Sequence, residues 1–167
     1  MKNKSSMIIR VGILILVLTS FGMAQLHHLT FTGAHFNGGT AVEYANSGHF
    51  VGKLNTGGSL YAPISFPDSA NGMQVTRLSY SAWDGSATGQ ITLFLVKVDR
   101  WTGNSTNVAS NSTGIAAAVN SVQYLNLPKS QMGAKGIDNN RWAWYLRVYF
   151  SEGDTALYLY HVTIRYE

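Results

Sequence analysis

Residues 141–166, RWAWYLRVYF-SEGD-TALYLYHVTIRY, carry large apolar or aromatic side chains at almost every position on either side of one short polar break. Successive side chains of a β-strand point to opposite faces, so a strand with one wet face alternates apolar with polar residues. This stretch does not. An even connection across Ser151–Asp154 predicts an antiparallel hairpin in which Phe150 faces Thr155, Val148 faces Leu157 and Leu146 faces Leu159. Trp142, Trp144, Leu146, Val148, Phe150, Leu157 and Leu159 then form the core face, with His161 beside them. The other face carries Tyr145, Arg147, Tyr149, Tyr158 and Tyr160, joined by Ala143, Ala156, Val162 and Ile164. Tyrosine suits a surface that is covered part of the time, because its ring lies on apolar atoms while its hydroxyl keeps a polar partner. The expected contact surface is therefore Tyr145, Arg147, Tyr149, Tyr158 and Tyr160 on a single face.

The rest of the chain has the same texture. β-Branched and aromatic runs are bounded by Gly, Asn, Asp and Ser, and no helical period appears after the first two dozen residues. Eight strands are expected, over 29–36, 49–53, 59–66, 74–83, 90–101, 122–127, 141–150 and 155–166. That number, with turn signals between, predicts an all-β chain folded as a single antiparallel, jelly-roll-like β-sandwich. PDSANG at 67–72 supplies one turn, and DGSATG at 84–89 is expected to close a hairpin between Trp83 and Gln90. The low-complexity segment 103–120 is expected to be a long loop with one short edge strand; its Asn104-Ser105-Thr106 and Asn111-Ser112-Thr113 triplets serve turn chemistry.

Lys2, Lys4 and Arg10 precede an apolar run from Val11 to Leu18 that ends in Gly22-Met23-Ala24, the pattern of a secretory signal peptide over residues 1–24. The run is shorter than the roughly 20 residues needed to span a bilayer, so no stable membrane insertion of the mature chain is expected. The domain proper is residues 25–167, secreted to the extracellular space or the cell surface. Of the 12 basic residues three leave with the leader, so the remainder nearly balance the 8 acidic ones. No basic tract is left for nucleic acid. There is no cysteine, so packing alone must hold the fold.

Chemistry-bearing residues do not assemble into a signature. His27 and His28 are adjacent on a strand and point apart, and His35, Glu43 and His49 lack metal-ligand spacing. Asp68, Asp84, Asp138 and Asp154 sit in turns, where Asp caps its own backbone. There is no Gly-x-Ser-x-Gly elbow. No metal, cofactor or catalytic residue is expected, and the chain is expected not to be an enzyme.

LYAPISFPDSANGMQVTRLSYSAWD, ITLFLVKVDR and YLRVYFSEGDTALYLYHVTIRY are similar to a pattern in uncharacterised secreted bacterial proteins: a Pro-bearing strand, a turn, a strand ending in Asp, and a closing segment that begins Asp-x-Ala-Leu-Tyr. The resemblance implies a secreted β-sandwich, no activity and no functional residues. The N-terminal segment QLHHLTFTGAHF is expected to pair within its own sheet by default; a donor strand built on Leu29, Phe31 and Phe36 is the intermolecular option. The expected function is contact: a self-associating structural subunit of the cell surface or matrix, its partner another copy of itself. One alternative is a carbohydrate-binding module stacking glycans on Tyr145, Tyr149, Tyr158, Tyr160, Trp83 or Trp101. Another is a small outer-membrane β-barrel.

Overall fold

The structure, a computed structural model, describes residues 25–38, 44–46, 48–53, 57–114, 121–151 and 156–167. Residues 1–24, Glu43 and residues 152–155, with most of the expected 151–154 connection, lie outside the described residues. Among those described, the strands are β1 (His27–Thr32), β2 (Asn37–Gly38), β3 (Tyr44–Asn46), β4 (Val51–Lys53), β5 (Gly58–Ile64), β6 (Val75–Asp84), β7 (Ile91–Asp99), β8 (Ser105–Ser112), β9 (Val122–Pro128), β10 (Trp142–Phe150) and β11 (Leu157–Tyr166), with three short 3-10 turns between them. They form two antiparallel sheets. Sheet I runs β3-β4-β11-β6-β9 with β1 also paired to β11, and sheet II runs β2-β5-β10-β7-β8. The expected β-sandwich is therefore observed, and a closed barrel is not. No helix among the described residues is long and apolar enough to cross a membrane.

The core lies between the sheets. Sheet II contributes Leu60 and Ala62 from β5, Leu146, Val148 and Phe150 from β10, and Ile91, Leu93 and Leu95 from β7; sheet I answers with Leu78 and Ala82 from β6 and Leu157, Leu159, Val162 and Ile164 from β11, all buried. Each of the Val, Leu, Ile and Phe side chains among them contributes roughly 1.5–3 kcal/mol when taken out of water.

Four expectations change. The closing hairpin is not formed: β10 pairs with β5 and β7, while β11 pairs with β6, β1 and β4. Alternation decides which face of a strand is apolar but not which strand lies beside it. Two strands with apolar inner faces can face each other across a core, and β10 has both edges taken. The 84–89 connection likewise crosses from β6 in sheet I to β7 in sheet II. It is tightened by Asp84, whose carboxylate accepts the Ser86 N–H and the Thr113 hydroxyl, and by Ser86 Oγ, which accepts the Gly89 N–H.

The third change is a β-bulge. Leu159 faces Ala82 and His161 faces Ser81, so Tyr160 is an extra residue on β11. Beyond it the alternation inverts. Val162 and Ile164 turn into the core, and His161 turns out, where its Nδ1 lies 2.8 Å from Ser81 Oγ. Fourth, the one short edge strand expected within 103–120 is eight residues long, Ser105–Ser112, and pairs with β7; residues 115–120 lie outside the described residues.

The N-terminal strand pairs within its own chain, His27 with Tyr166 through Thr32 with His161. Phe31 and Phe36 are buried in the core and Leu29 packs against it.

Candidate functional site

Because β10 and β11 lie in opposite layers, the expected five-residue contact surface divides. Tyr145, Arg147 and Tyr149 are on the outer face of sheet II; Tyr158 and Tyr160 are on the outer face of sheet I, a full sandwich away.

On sheet II, register builds a patch around Arg147. It stands opposite Tyr61 of β5 and Phe94 of β7, while Tyr145 stands opposite Pro63 and Val96, and Tyr149 opposite Ser59 and Thr92. Tyr61 and Tyr149 are 44% and 38% exposed. Tyr61 and Tyr145 approach to 5.9 Å between centroids, inclined at 57°. The Arg147 guanidinium carbon sits 4.0 Å over the Phe94 ring, a cation–π contact that fixes the fork in place. Its Nε is buried with no hydrogen-bond partner. Of the charged residues in the described strands of sheet II, Lys97 and Asp99 are buried, which leaves Arg147 as the charge on the outer face.

On sheet I the rings are occupied by the chain itself. Phe50 packs edge-on against Tyr158 at 4.7 Å and against Tyr160 at 6.0 Å, and Trp83 lies 5.8 Å from Tyr158. Tyr158 rests on Gly52, where an added Cβ would meet the ring at 3.0 Å. Tyr158 and Tyr160 are half-buried, and the open aromatic on this face is instead Tyr124 of β9, 78% exposed.

A third feature lies where β5 and β7 end and β10 begins. A cleft of about 470 Å³ is lined by Ile64, Phe66, Asp68, Arg100, Asn139 and the Trp142–Trp144 wall. Asn139 fixes one side by donating from Nδ2 to the Phe66 carbonyl at 3.0 Å. Trp144, buried, has an indole N–H without a partner. Behind the wall the Lys97 ammonium stands 4.2 Å from the Trp142 centroid and 5.6 Å from that of Trp144. Burial, and then the charge of Arg141, push its pKa below the usual lysine value. Asp99 accepts N–H bonds from Trp101 and Thr102 and an ion pair at 3.0 Å from Arg141. These hold its carboxyl below the usual range, led by the Trp101 bond.

Sequence reasoning missed Tyr61, Phe94 and this cleft, all of which depend on which strands are neighbours. Of the tryptophans considered for stacking, Trp101 is 82% exposed at a turn tip and Trp83 is half-buried. His35 is tied locally, its Nδ1 accepting the Thr32 N–H at 3.0 Å. No group of three or more His, Cys, Asp or Glu among the described residues could hold a metal.

No family model matches the sequence, and no curated protein matches it. Among solved structures, the chain is similar to the C-terminal CBM6 of LamC, a marine laminarinase from Zobellia galactanivorans, with a TM-score of 0.51 at 14% identity over 83% of this chain and 98% of that one. The fold is shared. A low-affinity xylan-binding module, CBM86, from Roseburia intestinalis gives a TM-score of 0.45 at 10% identity over 84% of this chain and 96% of that one. At such identities the likeness concerns architecture, and the site must be argued from this chain's own residues.

Proposed function

We propose that the chain is a non-catalytic carbohydrate-binding module that holds a glycan on the outer face of sheet II. The observation that carries this is the Tyr61–Tyr145–Arg147–Tyr149 patch, open to solvent on a face with no other charge. A pyranose ring has apolar C–H faces and a polar rim. Tyrosine rings meet the faces and their hydroxyls the rim, while a guanidinium supplies fixed donors. Tyr145 and Tyr149 are four residues apart, about 13 Å along the strand, which suits a stretch of chain better than a lone sugar. As an extension of the same reading, the module acts outside the cell after loss of residues 1–24.

A second reading places the sugar in the end cleft, favoured by the unpartnered Trp144 N–H at its wall. Self-association has less support, since the rings expected to make one surface lie on two and Phe50 covers part of the second.

Titration calorimetry against a panel of polysaccharides, with mass in solution followed in parallel, tests the proposal. Tyr145→Ala with Tyr149→Ala is expected to weaken binding by about tenfold or more, the loss of one strong interface contact, without altering far-UV circular dichroism. A flat response across the panel, or binding indifferent to both changes, refutes the sheet II site. Oligomers dispersed by the same pair would instead restore self-association.

A further inference from the structure

We infer that the glycan taken by the sheet II face is anionic, a chain bearing carboxylates or sulfate esters; this rests on the module reading above. Three observations converge on it. The face carries a single charge, the cation Arg147, amid Tyr61, Pro63, Phe94, Tyr145 and Tyr149. No carboxylate pairs with that cation: among the described residues the ion pair is Arg141 with Asp99, at the cleft end of the sandwich. And the guanidinium carbon sits 4.0 Å over the Phe94 ring with Nε buried, so the cation is held in position among the rings.

A structural arginine covering an apolar ring needs only its stem and its exposed ends in water. Here the cation lies among rings on an outer face with no carboxylate to pair with it, and an anionic oxygen meets it better than a neutral hydroxyl does. Charge-assisted hydrogen bonds are about twice as strong as neutral ones, and the planar fork of arginine matches carboxylate and sulfate oxygens. The tyrosines on the same strand, two residues to either side, then stack the neighbouring sugar faces. Recognition is thus divided, with rings for the chain and a cation for its charge.

The test compares polygalacturonate, a sulfated galactan and a neutral β-glucan of matched length, by calorimetry, on the parent, Arg147→Gln and Arg147→Lys. Binding to at least one anionic polymer is expected to exceed neutral binding by about tenfold and to fall by a similar factor in Arg147→Gln. Arg147→Lys, which keeps the charge and loses the fork, is expected to fall between. Parent binding should also weaken when salt is raised from about 0.01 M to about 0.1 M, which shortens the screening length from about 30 Å to about 10 Å. Carboxylated and sulfated polymers are told apart by which of the two responds. Equal binding of neutral and anionic chains, absence of salt dependence, or an unchanged Arg147→Gln each overturns the inference. If neutral glucan still binds and still needs Tyr145 and Tyr149, the module reading survives that failure; if no polymer binds, both fall.

Discussion

Deleting Tyr160 should destabilise the protein less than deleting Tyr158 does. Tyr160 is the extra residue on β11: Leu159 faces Ala82 and His161 faces Ser81, so without it Leu157, Leu159, Val162, Ile164 and Tyr166 fall on one face of a regular strand and keep their partners on β6. The loss is mainly a ring contact with Phe50 at 6.0 Å, about 0.5–1.5 kcal/mol. Deleting Tyr158 makes Leu157 and Leu159 neighbours. Alternation then turns one of these two fully buried leucines out of the core, about 1.5–3 kcal/mol, against a total stability for such a domain of about 5–15 kcal/mol. Urea titrations followed by tryptophan emission report both variants on one scale. The Tyr160 deletion is expected to shift its midpoint modestly and the Tyr158 deletion to lower it by at least twice as much. Equal midpoints for the two would show that alternation about the bulge does not determine which residues enter the core.

Two further predictions concern the charged end of the sandwich. Asp99, whose carboxyl is held low by its backbone donors and Arg141, contributes stability above the ordinary carboxylate range that is lost as pH falls through its folded value; Asp99→Asn should flatten this part of the acid limb in thermal melts taken across pH. Lys97 runs the other way. Its lowered pKa means the folded state releases that proton before the unfolded chain does, so parent stability relative to Lys97→Met should rise as pH climbs toward the ordinary lysine value of about 10.4, and a constant difference would argue against the desolvated ammonium.

The eight strands visible as apolar runs all exist, because the period of two and the turn residues that bound it are local properties. β2 and β3 were missed; they are two and three residues long and carry no period. The edge strand β8 is polar, STNVASNS, and its strand character comes from pairing with β7 rather than from its own composition. The candidate site was half legible. Tyr145, Arg147 and Tyr149 share a face by spacing alone, but Tyr61 and Phe94 join them only through sheet order, which no single segment encodes. Tyr158 and Tyr160 were grouped with the wrong partners for the same reason: intrinsic alternation cannot tell a hairpin from an arch between layers. The inversion at Tyr160 was invisible because nothing in LYLYHVTI departs from ordinary strand composition.

The last segment of the chain supplies the middle strand of both layers. β10 lies between β5 and β7, β11 lies between β6 and the N-terminal strand, and even Glu167 exchanges two backbone hydrogen bonds with Gln74. Without those two strands the sheets fall into separate pairs, β2 with β5 and β7 with β8 on one side, β3 with β4 and β6 with β9 on the other. Those pairs are thus joined only once residues 142–166 are in place, and a chain cut before them keeps ribbons of two strands with their apolar faces bare.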